Sequence, residues 1–177
     1  MAHVVVILFA VVAIVTGAVS LTGAALSSAD DASAAWETMT KRTGRAYRTE
    51  LKLITVDAQG SGQDIDISIR NEGQTSLSDF SWWDVMIEYY AQPGNSDLNI
   101  AWLSSTSTPP ASGQWAVKGI FMNAGTEAAE IYEQNVFNPG EEMTIRLNIS
   151  PSIPTSTDNL VTIAAPNGIR LTAPFSR

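Results

Sequence analysis

The sequence predicts an α+β chain: a long, hydrophobic N-terminal α-helix over residues 1–48, followed by an antiparallel Ig-like β-sandwich over residues 49–177. Two observations carry this reading. From Met1 to Ala29 there is no Asp, Glu, Lys or Arg, and His3 is the one titratable side chain. Beyond Arg48 the apolar residues change from helical spacing to alternation, with turn signals between short runs.

The helix begins with Val4–Val15, which is apolar on every side whatever the helical phase. A uniformly apolar segment of this kind needs lipid or protein around it, since about 20 such residues cross a bilayer core. A cleavable secretory signal competes, and Ser27-Ser28-Ala29 would pass as its cleavage site, but Met1-Ala2-His3 supplies no basic n-region. We therefore expect a short basic leader to have been removed earlier and the apolar helix to be retained. Such a helix is sheltered most simply by copies of itself, so a homo-oligomer is expected, with Val5, Leu8, Phe9, Val12, Val15, Gly17, Val19 and Leu26 as its polymerisation surface and membrane insertion before assembly. Gly17 and Gly23 are poor helix formers, while Ala13 with Gly17, and Thr16 with Ser20 and Ala24, set small residues four apart. That spacing lets helix backbones approach closely, and a glycine can also serve as a bending point.

Further along, Ala25, Ala29, Ala32, Trp36, Met39, Thr43 and Ala46 recur at alternating steps of four and three, a seam with a 3.5-residue period that packs against a neighbouring element. Asp30, Asp31, Glu37, Lys41, Arg42, Arg45 and Arg48 flank it, so this half is amphipathic. The Lys41–Arg48 basic cluster reads as a solvated helix end or an ion-pair surface. A helix ending between Arg45 and Arg48 would be about 65–70 Å long. With no linker before the strands, it should be coupled rigidly to the sandwich.

The strands follow in order. Leu51, Leu53 and Ile54 to Val56 start an extended segment, and Ile65, Ile67 and Ile69 alternate with Asp66, Ser68 and Arg70 as a half-buried strand. Gly60-Ser61-Gly62 reads as the hairpin between them and Asn71-Glu72-Gly73 as the next turn. Trp82–Tyr90, Leu98–Ser104 and Gln114–Met122 follow, separated by Gln92-Pro93-Gly94-Asn95 and by Thr108-Pro109-Pro110 with Ser112-Gly113. Asn138-Pro139-Gly140 precedes Met143–Ile149, and Pro166-Asn167-Gly168 is a hairpin signal between Leu160–Ala164 and Ile169–Thr172, because Asn-Gly tolerates positive φ. Seven or eight short strands so punctuated make a sandwich.

Little here performs chemistry, and the chain is read as not an enzyme. A formal charge of −8 argues against nucleic acid, which needs a basic face. Without cysteine, disulfides and thiolate metal sites are excluded. His3, inside the apolar helix, cannot join a Ser-His-Asp arrangement on the sandwich. Asp79 and Asp84 bracket Trp82-Trp83, and Glu141-Glu142 sit in a turn, without calcium-loop spacing. No cofactor or metal is expected. Asn148-Ile149-Ser150 fits the N-glycosylation acceptor pattern, with Pro151 directly after it. Trp82, Trp83, Tyr89, Tyr90, Trp102 and Trp115 are assigned to the core or to contacts between subunits.

Ile69-Arg70-Asn71-Glu72-Gly73, then Leu77, Asp79, Phe80, Trp83-Asp84-Val85 and Ile87, resembles the β-sandwich of archaellins and their archaellum-associated relatives. Val136-Phe137-Asn138-Pro139-Gly140-Glu141 resembles the same domain, and the N-terminal helix is similar to the type IV pilin superfamily. Bacterial type IV pilins carry a glutamate at the fifth position of the mature chain; Val5 stands there, which favours an archaellin-like subunit. The resemblance implies a motility filament with a core of packed helices and an outer layer of sandwich domains. It further implies leader removal by a prepilin-type peptidase and assembly by an ATPase at a membrane platform. A membrane-anchored accessory (stator-type or minor) subunit and an adhesive type IV pilus subunit share the same plan.

Overall fold

A computed structural model describes the backbone of residues 2–130 and 133–177, and the side chains of these except 2–6, 8–10, 18, 19, 21–26 and 42. Helix α1 runs Ala2–Tyr47, 46 residues or about 69 Å of rise, and it stops where the sequence predicts. The last turn tightens as Arg48 N–H donates to Arg45 O (3.2 Å) and Thr49 N–H to Ala46 O (3.0 Å). The Thr49 hydroxyl donates to Arg45 O (2.8 Å), so one of the four carbonyls a helix end orphans is satisfied by a side chain. Contacts divide the chain into two compact units, Met1–Gly44 and Arg45–Arg177.

Among the described residues the second unit holds nine strands: β1 (Leu51–Gln59), β2 (Asp64–Asn71), β3 (Asp84–Gln92), β4 (Ser96–Ser105), β5 (Gln114–Asn123), β6 (Ala128–Ala129), β7 (Glu142–Asn148), β8 (Asp158–Ala164) and β9 (Arg170–Ser176). They lie in the order β1-β2-β7-β5-β4-β3-β8-β9, with β6 beside β5. The result is one nearly closed sheet with two halves, β1-β2-β7-β5 and β4-β3-β8-β9. Ile65, Ile67, Ile69, Ile145 and Leu147 from the first half share one core with Val85, Ile87, Leu103, Val161 and Ile163 from the second. All ten are 2% exposed or less, and the alternation read from β2 marks its inward face correctly.

Three local readings need correction. The sheet is not wholly antiparallel: β4 and β5 run parallel where Ser104 and Ser105 pair with Gln114 and Trp115, joining what were expected to be two separate sheets. Pro109 and Pro110 lack the N–H that a tight reversal here would use, and a looping return brings β5 back alongside β4. The strand expected from Trp82 begins instead at Asp84. Asp79 adopts the left-handed region (φ 54°) and starts a single 3₁₀ turn, Phe80–Trp82, closed by Trp82 N–H to Asp79 O (2.9 Å). At Pro166-Asn167-Gly168 the hairpin forms, but only Gly168 has positive φ (90°). Gly168 N–H donates to Ala165 O (2.9 Å), so Pro166 and Asn167 occupy the turn centre and Gly168 follows as the bulge residue.

Candidate functional site

In the first unit the chain's own side chains leave an apolar surface uncovered. Ile7, Val11, Val12, Ile14 and Val15 are all more than half exposed. Thr16 donates its hydroxyl to Val12 O (2.8 Å) and Ser20 to Thr16 O (2.9 Å). These back-bonds leave no dangling hydroxyl donor, so this stretch can enter an apolar environment without the penalty of an unmade hydrogen bond. A Cβ added at Gly17 would meet nothing within 4 Å. Nothing in the described chain therefore requires glycine there, and any steric reason for it lies in a neighbouring molecule. Among the predicted polymerisation residues, Val12, Val15 and Gly17 are thus exposed; the side chains of Val5, Leu8, Phe9, Val19 and Leu26, like those of His3 and Gly23, lie outside the described residues. Among the described residues no helix is long and apolar enough to cross a membrane, and the stretch expected to do so contains most of the undescribed side chains.

Farther along α1 the predicted seam is also open: Ala29, Ala32 and Thr43 are exposed, as are Trp36 and Met39 at 71% and 64%. Glu37 and Lys41 pair at 2.6 Å with both side chains in solvent.

In the second unit, the two segments that carry the family resemblance meet in space. Leu77 and Phe137 exchange backbone bonds, Leu77 N–H to Phe137 O (3.0 Å) and Phe137 N–H to Leu77 O (2.7 Å). Asn71, fully buried, is the rivet. Its Nδ2 donates to Thr75 O (2.9 Å) and to Phe137 O (3.0 Å), and its Oδ1 accepts from Gly73 N–H (3.1 Å). Glu141 Oε2 accepts from Asn138 N–H (2.7 Å). Gly73 permits the close approach: a Cβ there would lie 2.5 Å from Glu50 N and 2.6 Å from Arg48 O. The turn is bonded to that backbone by Glu72 N–H to Glu50 O (2.9 Å) and Gln74 N–H to Arg48 O (2.7 Å). The motifs therefore build a clasp that fixes where the chain enters the β domain, not a chemical centre.

The carboxylates are structural too. Of Glu141 and Glu142, read together as a turn, Glu142 already belongs to β7, and both are buried, at 0% and 3% exposure. Glu142 meets Arg70 at 2.5 Å and accepts from Ala124 N–H (2.7 Å). Burial, and then the nearby Glu141, push the Glu130 carboxyl above its ordinary range against two backbone donors, Asn135 and Val136. Asp66 accepts both arms of Arg146 at 2.6 Å, with Lys118 3.5 Å away. Burial alone would raise the Asp66 carboxyl, but the guanidinium and ammonium outweigh it and hold it below the usual carboxylate value. Asn148 is half-buried in β7 and donates Nδ2 to Asp64 Oδ1 (2.7 Å), so the amide that a glycan would occupy is already engaged. Among the described residues no group of three or more His, Cys, Asp or Glu could hold a metal ion. A surface cavity of about 650 Å³ beside the 3₁₀ turn is lined by the hydroxyls of Ser78, Ser81, Ser105 and Thr106 together with Phe80, Trp115 and Val117.

Of the six aromatics assigned to core or contact, Trp83, Tyr89 and Trp115 are core, whereas Trp82 and Trp102 are 76% and 70% exposed. Sequence reading did not separate these, because all of them lie in strand-like runs.

No protein-family profile matches the sequence, and curated proteins give no match. The fold does resemble solved structures. The archaeal flagellum of Methanospirillum hungatei matches with a TM-score of 0.52 and 15% identity, over 99% of this chain and 90% of that one. The archaellum periplasmic stator protein FlaG from Sulfolobus acidocaldarius matches with a TM-score of 0.51 and 16% identity, over 72% of this chain and 99% of that one. The FlaF–FlaG stator complex of the same organism matches at 0.49 and 19%, over 72% and 89%. The fold is thus similar to that of archaellum components. A match over 99% of the chain includes the helix, and one over 72% is close to the share of the β domain.

Proposed function

We propose that this chain is a structural subunit of an extracellular, archaellum-like helical filament, polymerised through α1 and without enzymatic activity. The observation that carries the reading is the apolar surface of α1. Val11, Val12, Ile14 and Val15 stand exposed on a helix whose neighbouring hydroxyls are already satisfied. Sister helices would cover that surface. In the filament the helices pack at the axis and the β domains, Ig-like sandwiches in plan, form the outer layer. Before assembly the helix resides in the membrane, a prepilin-type peptidase removes a leader, and an ATPase-driven platform adds the subunit to a filament that serves motility. The fold likeness to the M. hungatei flagellum supports this reading because it extends over nearly the whole chain, helix included.

A second reading, a membrane-anchored archaellum accessory of the stator type, draws on the likeness to FlaG, which extends over 72% of this chain. An adhesive pilus subunit shares the same plan. Mass spectrometry of sheared surface filaments separates them. The filament reading predicts this chain as a stoichiometric component; its absence, or presence only in trace, would leave the accessory role. A deletion strain that swims normally but fails to attach to surfaces would turn motility into adhesion.

A further inference from the structure

Between the end of β4 at Ser105 and the start of β5 at Gln114 the chain reads Thr106-Ser107-Thr108-Pro109-Pro110-Ala111-Ser112-Gly113. Serine and threonine mixed with proline is the composition of segments that carry O-linked sugars. Proline offers a sheet no N–H, so the hydroxyls around it stay accessible. The loop is nonetheless held in place. Thr106 N–H donates to Trp115 O (2.9 Å) and Gly113 N–H to Asn148 O (2.9 Å). The Thr106 and Thr108 hydroxyls meet at 3.0 Å, and Thr108 N–H donates to Thr106 Oγ1 (3.3 Å). Ser107 stands between these two pinned threonines. It is exposed, and its hydroxyl has no partner among the described residues. Two recesses share Ser107 in their walls. The smaller, about 250 Å³, is lined also by Lys118 and Arg146, both already held by Asp66. It falls below the roughly 300 Å³ at which small-molecule pockets begin. The larger, the cavity of about 650 Å³, lies within the usual range. No Lys, Arg or His lines it; Ser78, Asp79, Ser81 and Asn135 do, with the rings of Phe80 and Trp115. Neutral donors and acceptors beside aromatic rings suit a neutral sugar, whose hydroxyls both donate and accept and whose faces are C–H.

We propose that Ser107 is a site of O-glycosylation and that the first sugar of the glycan, a neutral one, lies in the larger recess. The proposal goes beyond the filament reading and needs only a β domain carried outside the membrane, as in either archaellum role. In the attachment step Ser107 Oγ bonds to the anomeric carbon of a sugar carried on a phosphate donor. The sugar–phosphate C–O bond breaks with its electron pair left on the phosphate, and the hydroxyl proton passes to a base of the transferase. Position singles out Ser107 among the loop hydroxyls. Thr106 and Thr108 are bonded to each other. Ser112 is exposed but lines neither recess, so a sugar attached there has no seat. Asn148, the acceptor of the N-glycosylation pattern, has its amide engaged by Asp64 (2.7 Å).

The test isolates the full chain from the cells that make it, from filaments or membranes, and compares its intact mass with the mass of the sequence. Its peptides are then fragmented by electron transfer, which spares the glycosidic bond and locates the sugar. The expected result is a neutral-sugar increment on Ser107, absent from Ser107→Ala and retained in Ser112→Ala. A bare Ser107, a phosphate increment there, or a glycan confined to Asn148 or Ser112 would overturn the proposal. The seat is read from thermal melts of the same full chains. Wild type is expected to melt above Ser107→Ala. Asp79→Gly, which suits the left-handed φ of 54°, is expected to shrink that gap at least twofold. An undiminished gap would remove the sugar from the recess. Sheared filaments that lack the chain would sink the filament reading alone, since the mass on Ser107 is then read from membranes.

Discussion

Replacing Asn71 with alanine removes three hydrogen bonds from a side chain with no solvent exposure. Phe137 O keeps the Leu77 N–H at 3.0 Å, so it loses least. Thr75 O and the Gly73 N–H lose the partner that Asn71 supplied. An orphaned buried group costs about 1–3 kcal/mol. Because residues 73 and 75 are only half-buried, the low end applies, and Asn71→Ala should destabilise the β domain by about 2–4 kcal/mol. For a domain of this size that is about 10 °C in Tm. Residues 45–177 form a compact unit around their own core, so the assay is urea unfolding of that unit, followed by fluorescence of the buried Trp83 and Trp115. Asn71→Asp should cost more than the alanine: it loses both donors and points a carboxylate at carbonyl oxygens in a buried site. A loss under about 1 kcal/mol for alanine, or an aspartate variant as stable as wild type, would refute the claim that Asn71 closes the clasp.

The pH dependence has a sign fixed by Asp66. Its folded carboxyl lies below the ordinary value of 3.8, so its stabilisation is complete above that value and is lost as pH falls through the lower, folded one. Asp66→Asn should therefore lower stability at neutral pH by about 2 kcal/mol, the worth of hydrogen bonds to charged groups, and shrink the wild-type advantage at the most acidic end of an unfolding series; an unchanged pH profile would contradict it. At the last hairpin, Gly168→Val forces a branched residue to φ 90° and should cost about 1–3 kcal/mol, whereas Asn167→Val should cost less because Asn167 does not need positive φ. Equal losses in thermal melts would restore a turn with both residues in the left-handed region.

Local pattern made much of this fold legible. The three isoleucines of β2 alternate with Asp66, Ser68 and Arg70, and each is fully buried, because a pleat sends successive side chains to opposite faces. The helix end was equally readable, since apolar periodicity fails at Arg48. What stayed hidden depends on pairing across long loops. Asn71 finds Phe137 O 66 residues away, and no local rule links a turn asparagine to that carbonyl. The burial of Glu142 stayed hidden for the same reason: the Arg70 that pairs with it comes from a distant strand. The open face of β4 was invisible because Ala101 and Leu103 are as apolar as Ile100 and Trp102, so alternation carried no information there. On α1 the logic runs the other way. An apolar run without charges announces burial, and a single chain has nothing described to bury Val12 or Ile14.

The central claim, that α1 is sheltered by the same helix of other copies, is tested most directly by Val12→Asp in cells that assemble the filament. A lone carboxylate at a helix–helix contact has no partner there and is costly to bury. The β domain, with its core elsewhere, should keep its wild-type fluorescence and unfolding midpoint while surface filaments disappear from electron micrographs. Normal filaments built from the aspartate variant would contradict the account.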